Sequence, residues 1–210
     1  MKLSQNKIML SHNEIISSAF LQIISYLLRR KKVSLRQIAL GAKLSYNSCY
    51  KFALRLEKSG VLEIERKSGV NYCSLQNNST TCLLAGYVSL LEAEAYLSNH
   101  LIIKKIIGEM LLKFNYLDCL AIYGSQVKGT ANEKSDIDLF CVTDSHKEFK
   151  SFAYHLSLKY SKEIQVIVAN RTEFREMLAE NKVNIGTEVR DTGIILSGYE
   201  FYWKMVLERK

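Results

Sequence analysis

Residues 117–142, LDCLAIYGSQVKGTANEKSDIDLFCV, constrain this chain more than any other stretch. An apolar run, Leu120-Ala121-Ile122-Tyr123, ends at Gly124-Ser125. Ten intervening residues then lead to Asp136-Ile137-Asp138 and a second apolar run, Leu139-Phe140-Cys141-Val142. Runs of this length, separated by Gly, Lys and Asn, read as two strands and a connection. Alternate residues of a strand share a face, so Asp136 and Asp138 point the same way. Two carboxylates so placed repel unless a cation lies between them, and an all-oxygen pair suits Mg²⁺ (or Mn²⁺). Gly124 and Ser125 offer close backbone approach, exposed N–H groups and a hydroxyl, a combination that suits a phosphate. A lone DxD is more often a solvated pair at a strand start. The glycine-serine step before it turns the reading toward phosphoryl or nucleotidyl transfer.

In this pattern the stretch resembles the nucleotidyltransferase superfamily related to DNA polymerase beta, especially its minimal, MNT-like members. The family pattern is Gly-Ser, about ten residues, then Asp-x-Asp, matched here by Gly124, Ser125, Asp136 and Asp138. Ser135 before the first Asp fits as well, and Lys128-Gly129 stands where the family usually has Arg-Gly. The resemblance implies a mixed sheet flanked by helices. Asp136 and Asp138 would be catalytic metal ligands, and Gly124, Ser125 and Lys128 would hold the phosphates of an NTP.

The bulk sequence fits a two-domain α/β (α+β) protein of 210 residues. Hydrophobic content of 48% with 24% charged residues allows a sizeable core. The sequence has no run of eighteen apolar residues and no signal-peptide core near Met1, which points to a cytoplasmic protein with no membrane partner. Cys49, Cys73, Cys82, Cys119 and Cys141 show no CxxC spacing and read as buried free thiols. The net charge of +8 is uneven: residues 1–83 hold 13 Lys+Arg against 4 Asp+Glu, and the remainder holds 16 against 17. All the positive excess therefore lies at the front, where a polyanion is the expected partner.

Residues 1–80 form the first expected domain. A helix is expected from His12 to Leu28 with Ser11 as cap, then the basic run Arg29-Arg30-Lys31-Lys32. A short helix capped by Ser34 and a turn at 41–44 precede a third helix, from Ser45 to about Lys58. Cys49, Phe52, Ala53 and Leu56 mark its inward stripe, and Gly60 stops it. A hairpin follows, 61–66 and 70–75, around Lys67-Ser68-Gly69. This order resembles the winged helix-turn-helix domains of prokaryotic transcription regulators. Carried over, Ser45, Tyr46, Asn47 and Ser48 would read or position on double-stranded DNA, with Lys51, Arg55, Arg66 and Lys67 on phosphates. Protein contact or dimerisation is the competing use of such a domain.

The polar stretch 76–81 is the linker candidate, and 82–97 reads as a connecting or dimerisation helix. Residues 98–210 form the nucleotidyltransferase-like domain: an amphipathic helix from His100 to Phe114, the two strands, a helix over 147–160 and a strand over 163–168. His100 reads as a surface or cap residue. Helix-like 172–180 and the closing pattern 186–198 complete the resemblance, and Tyr199, Phe201, Tyr202 and Trp203 read as core or interface.

The resemblance breaks in strand 163–168. The family places a third carboxylate there, and the matching position is Gln165. Glutamine cannot act as a base, and its carbonyl is a weaker ligand for a hard cation. Glu163 is the candidate substitute if the register shifts by two or its side chain spans a further 6–7 Å or so. Two functions stay open. One is Mg²⁺-dependent transfer of a nucleoside monophosphate to an acceptor hydroxyl, with a HEPN-type protein among the acceptors the resemblance implies. The other is a non-catalytic, nucleotide-sensing transcription regulator. Either would be a DNA-binding protein, expected to be a homodimer. The retained Asp pair favours transfer.

Overall fold

The computed structural model describes residues 18–132, 135–180 and 182–208. They divide into two compact units at Leu75 and Gln76. The first holds α1 (Ser18–Leu28), β1 (Val33–Ser34), α2 (Leu35–Gly41), α3 (Tyr46–Lys58), β2 (Leu62–Lys67) and β3 (Val70–Leu75). The second holds α4 (Ser79–Asn99), α5 (Leu101–Lys113), β4 (Cys119–Tyr123), α6 (Ser125–Lys128), β5 (Ile137–Val142), α7 (His146–Tyr160), β6 (Ile164–Ala169), α8 (Arg171–Ala179), α9 (Ile185–Thr192), β7 (Ile194–Ser197) and α10 (Tyr199–Leu207). The expected start of the first helix at Ser11 and His12 lies outside the described residues.

Local chemistry sets the starts of the first unit's helices. Ser34 caps α2 in a reciprocal box: its hydroxyl accepts from the Gln37 amide, while the Gln37 side chain accepts from the Ser34 amide. Ser45 caps α3 by accepting from the Ser48 amide at 3.2 Å. Cys49, Ala53 and Leu56 turn inward, and Phe52 meets Phe20 edge-on at 5.2 Å. The turn expected around Gly41 works differently. Gly41 is the last residue of α2, packed so closely on Tyr26 that a Cβ would fall 1.8 Å from its ring. Lys43 takes the left-handed conformation instead, at φ 54°. The hairpin turns at Ser68-Gly69, both at positive φ, as a two-residue connection requires. Sequence reasoning missed β1, which pairs antiparallel with β3 and makes a three-stranded sheet of order β1-β3-β2.

In the second unit Asn78, rather than Ser79 or beyond, ends the linker by capping α4. This helix is no bare connector: it packs along α10 and β7, and Trp203 donates its indole N–H to Ser89 at 2.8 Å in the interior. The sheet runs β6-β5-β4-β7, with β5–β6 parallel and the other pairs antiparallel. One face carries Leu120, Ile122, Ile137, Leu139 and Cys141 into a core with Ile106, Ile107 and Met110 of α5 and Phe149 and Leu156 of α7. Glu109 on α5 accepts from Lys159 at 2.7 Å and from the Tyr160 hydroxyl, tying α5 to α7. The other face places Phe140 against Phe174 of α8 at 5.3 Å, and Phe174 against Tyr202 of α10 at 5.9 Å. The aromatic cluster 199–203 is thus largely core. Asp118 accepts two bonds from Arg171, at 2.5 and 2.7 Å, and pins the start of α8 beside β4.

All five cysteines are buried free thiols. Burial pushes Cys49 up to about 11 and Cys141 up to about 12, so neither is a thiolate at neutral pH. His100 sits between α4 and α5, stacked on Tyr96 at 4.0 Å, as a junction residue. No helix among the described residues is long and apolar enough to cross a membrane.

Candidate active site

Strand pairing assembles the site. Tyr123 lies opposite Asp138 in the antiparallel β4–β5 pair, and Gln165 lies opposite Asp138 in the parallel β5–β6 pair. Residues directly opposite share a face, so Tyr123, Asp138 and Gln165 project together, with Asp136 and Glu163 two positions earlier on the same side. This is the face that carries Phe140 toward α8. The polar residues cluster where its apolar part ends.

Gly124 closes β4 with φ 72° and ψ −149°, a conformation open essentially to glycine alone. Its missing side chain has a second consequence. A Cβ there would stand 2.2 Å from Asp138 Oδ2, so the carboxylate lies directly against the turn. Ser125 begins the single turn α6, where the first N–H groups have no helical acceptor. Gln126, not noticed in the sequence, donates its side-chain amide to the carbonyls of Asp136 at 3.1 Å and Ser135 at 3.3 Å. It staples the turn to the start of β5 and fixes the Gly124–Asp136 geometry. Gly129 ends the turn in the left-handed region.

Gln165 resolves the question raised by the missing carboxylate. Its side-chain amide donates to Asp136 Oδ2 at 2.7 Å and lies 3.4 Å from Glu163 Oε1. The side chain that bonds to the Asp pair is that of Gln165; Glu163 precedes β6, and its backbone carbonyl accepts from the Ile137 amide at 2.9 Å. Among the described residues, no set of three His, Cys, Asp or Glu side chains converges as a metal cage. Two carboxylates nevertheless fit Mg²⁺, which keeps waters and takes substrate phosphates as its remaining ligands. The surroundings of Asp138 disfavour its charged form, an effect that a bound cation would offset. Burial, then the charges of Asp136 and Glu188, raise the Asp138 carboxyl above its ordinary range, with Lys128 opposing. The Tyr123 phenol is pushed up to about 12 by burial and by Asp138 and Glu188.

Glu188, on α9, is the second residue that sequence reasoning missed. It accepts from the Lys128 ammonium at 2.8 Å. No local pattern marks it, because its partner is 60 residues away.

The residues singled out in the first unit divide by role. Ser45 is a cap whose hydroxyl also donates to Ser48 Oγ at 2.9 Å. Asn47, Lys51 and Arg55 are exposed and recur at every fourth position, forming one row on α3. Tyr46 and Tyr50 form a neighbouring row, 47% and 39% exposed, with rings stacked at 6.5 Å. Arg66 and Lys67 are exposed at the end of β2, beside the hairpin turn. Part of the basic excess serves structure: Lys32 pairs with Glu65, and Arg30 lies over the Tyr26 ring at 3.9 Å.

Residues 103–190 match the family model of the Nucleotidyltransferase domain. The match runs from within α5 to within α9 and includes Gly124, Ser125, Asp136, Asp138 and Gln165. No match was found among curated proteins or among solved structures. The C-terminal unit is thus similar over residues 103–190 to the Nucleotidyltransferase domain family, and the end of β4 and the start of β5 lie within the matched stretch.

Proposed function

We propose that the C-terminal unit binds an NTP with Mg²⁺ or Mn²⁺ and transfers a nucleoside monophosphate to an acceptor hydroxyl. The observation that carries this reading is the contact of the Gly124 turn with Asp138, which sets a phosphate-binding turn directly against a carboxylate pair. Gly124 lets the Asp138 carboxylate lie against the backbone of the turn, and Ser125 would offer its amide and hydroxyl to a phosphate beside it. Asp136 and Asp138 would hold the cation, which supplies charge neutralisation on the phosphates. Lys128 adds a cation from the same turn. The acceptor oxygen attacks the α-phosphorus, pyrophosphate leaves, and the hydroxyl proton passes to solvent water, because Gln165 has no basic atom to take it. Transfer is therefore slow relative to a site with a third carboxylate. A HEPN-type protein partner is the acceptor that the family resemblance suggests.

The Gln165–Asp136 hydrogen bond favours a second reading, a nucleotide sensor without turnover. Transfer of label from an α-phosphate-labelled NTP to a lysate or candidate partner separates the two. Gln165→Glu is expected to raise labelling by about tenfold or more, since a positioned general base is worth roughly 10²–10⁴-fold. Nucleotide binding with no labelling by either protein would leave the sensor reading standing and remove the transferase.

For the N-terminal unit we propose a winged helix-turn-helix that binds double-stranded DNA through α3, with the β2–β3 turn as the wing. The exposed Asn47–Lys51–Arg55 row, the wing's Arg66 and Lys67, and the +9 charge of residues 1–83 support it. A homodimer in the cytoplasm, meeting two half-sites, would be the working form. Lys51→Glu/Arg55→Glu should abolish a gel shift on upstream DNA at physiological salt. Replacing the two by Gln should lower the salt slope of log K by about 2. An unchanged shift in the double Glu variant would remove α3 from the interface.

A further inference from the structure

The Lys128–Glu188 pair has no part in the fold's core. Both side chains face solvent in part, 49% and 27% exposed, and they join the turn after β4 to α9. α6 and α9 both pack on β4. Glu188 lies close enough for its charge to act on Asp138 and Tyr123. The nucleotide-facing end of the sheet therefore carries Asp136, Asp138 and Glu188 around one turn lysine that is already paired.

We propose that Glu188 makes nucleotide binding conditional on the divalent cation, by holding Lys128 until added positive charge compensates the carboxylate left behind. This rests on the nucleotide-binding reading above. A triphosphate arriving alone meets three carboxylates, and Lys128 can turn to it only by stripping Glu188 of its partner beside Asp138. Negative charges gathered at one end of the sheet oppose an arriving anion even at an effective dielectric of about 20. A divalent cation held by Asp136 and Asp138 would offset the negative charge of the cluster, so that Lys128 could turn to a phosphate oxygen at less cost. Cation and nucleotide are then coupled, each strengthening the other by the same factor. Glu188 acts through Lys128 and is a positioning residue that selects the metal-bound nucleotide.

The test is equilibrium binding of a fluorescent ATP analogue to the full chain, in EDTA and in Mg²⁺, for the wild type, Glu188→Gln, Lys128→Gln and the double variant. Thermal unfolding of each protein confirms that it is folded, which the exposure of the pair favours. Glu188→Gln should tighten binding in EDTA by about tenfold and narrow the ratio between the two conditions. Most of that tightening should vanish in the Lys128→Gln background, because the gain comes from releasing the lysine. An EDTA affinity changed less than about twofold by Glu188→Gln, or a full tightening that persists without Lys128, overturns the proposal while leaving nucleotide binding intact. Absence of binding by the wild type in either condition overturns the nucleotide reading and this proposal with it.

Discussion

Asp138→Asn should lower nucleotidyl transfer by about 10³-fold and, in EDTA, raise the unfolding temperature. The first effect follows from removing one of the two proposed cation ligands, because a bound metal would contribute several kcal/mol of charge stabilisation. The second follows from the site's own electrostatics. Asp138 is held above its ordinary value of 3.8 by burial and by Asp136 and Glu188. A carboxyl with a raised folded-state pKa adds stability below its unfolded pKa and loses it as the pH rises through the folded value. Asparagine carries no charge and keeps that stability at neutral pH. The gain in unfolding temperature should therefore be present at pH 7 and close as the pH falls below about 4. Thermal melts across pH, beside label transfer at pH 7, measure both. Unchanged transfer would take Asp138 out of the reaction, and an unchanged melting temperature would refute the charge strain.

Gly124→Ala should cost about 1–3 kcal/mol of stability and abolish nucleotide binding, because it violates two requirements at once. The backbone conformation at φ 72° and ψ −149° is closed to side chains, and the new methyl would lie 2.2 Å from Asp138 Oδ2. The carboxylate cannot stay where it is. Gly129→Ala is the matched control: it also has positive φ, at 69°, but nothing lies within 4 Å of a Cβ there. It should cost about 1–2 kcal/mol and leave binding near the wild-type level. If both variants bind nucleotide equally well, the closeness of Gly124 to Asp138 has no functional meaning.

The elements most legible in the sequence were those written in local chemistry. Ser34 and Ser45 announced their helices because caps are short-range devices, and the apolar runs at 120–123 and 139–142 announced buried strands. Gln165 was singled out by the family resemblance, and strand register puts it opposite Asp138. What stayed hidden depends on contacts distant in sequence. β1 is two residues long and exists only because β3 pairs with it. Lys43 adopts positive φ because Gly41 is committed to Tyr26. Gln126 and Glu188 lie inside stretches the sequence marks but at positions to which no motif gives a role, and their roles follow from the fold bringing 126 to 136 and 188 to 128.

β6 is an outer strand of its sheet, and Gln165 is exposed upon it. A side chain there can be exchanged with little repacking of neighbours. Glutamine and glutamate codons differ by a single base, and their side chains differ by an amide for a carboxylate oxygen. A single exchange at this position would thus move the proposed site between transfer and nucleotide sensing at little cost to folding. The strand edge makes position 165 the adjustable part of the site, whereas Gly124 is constrained by its backbone conformation and by the Asp138 carboxylate against it.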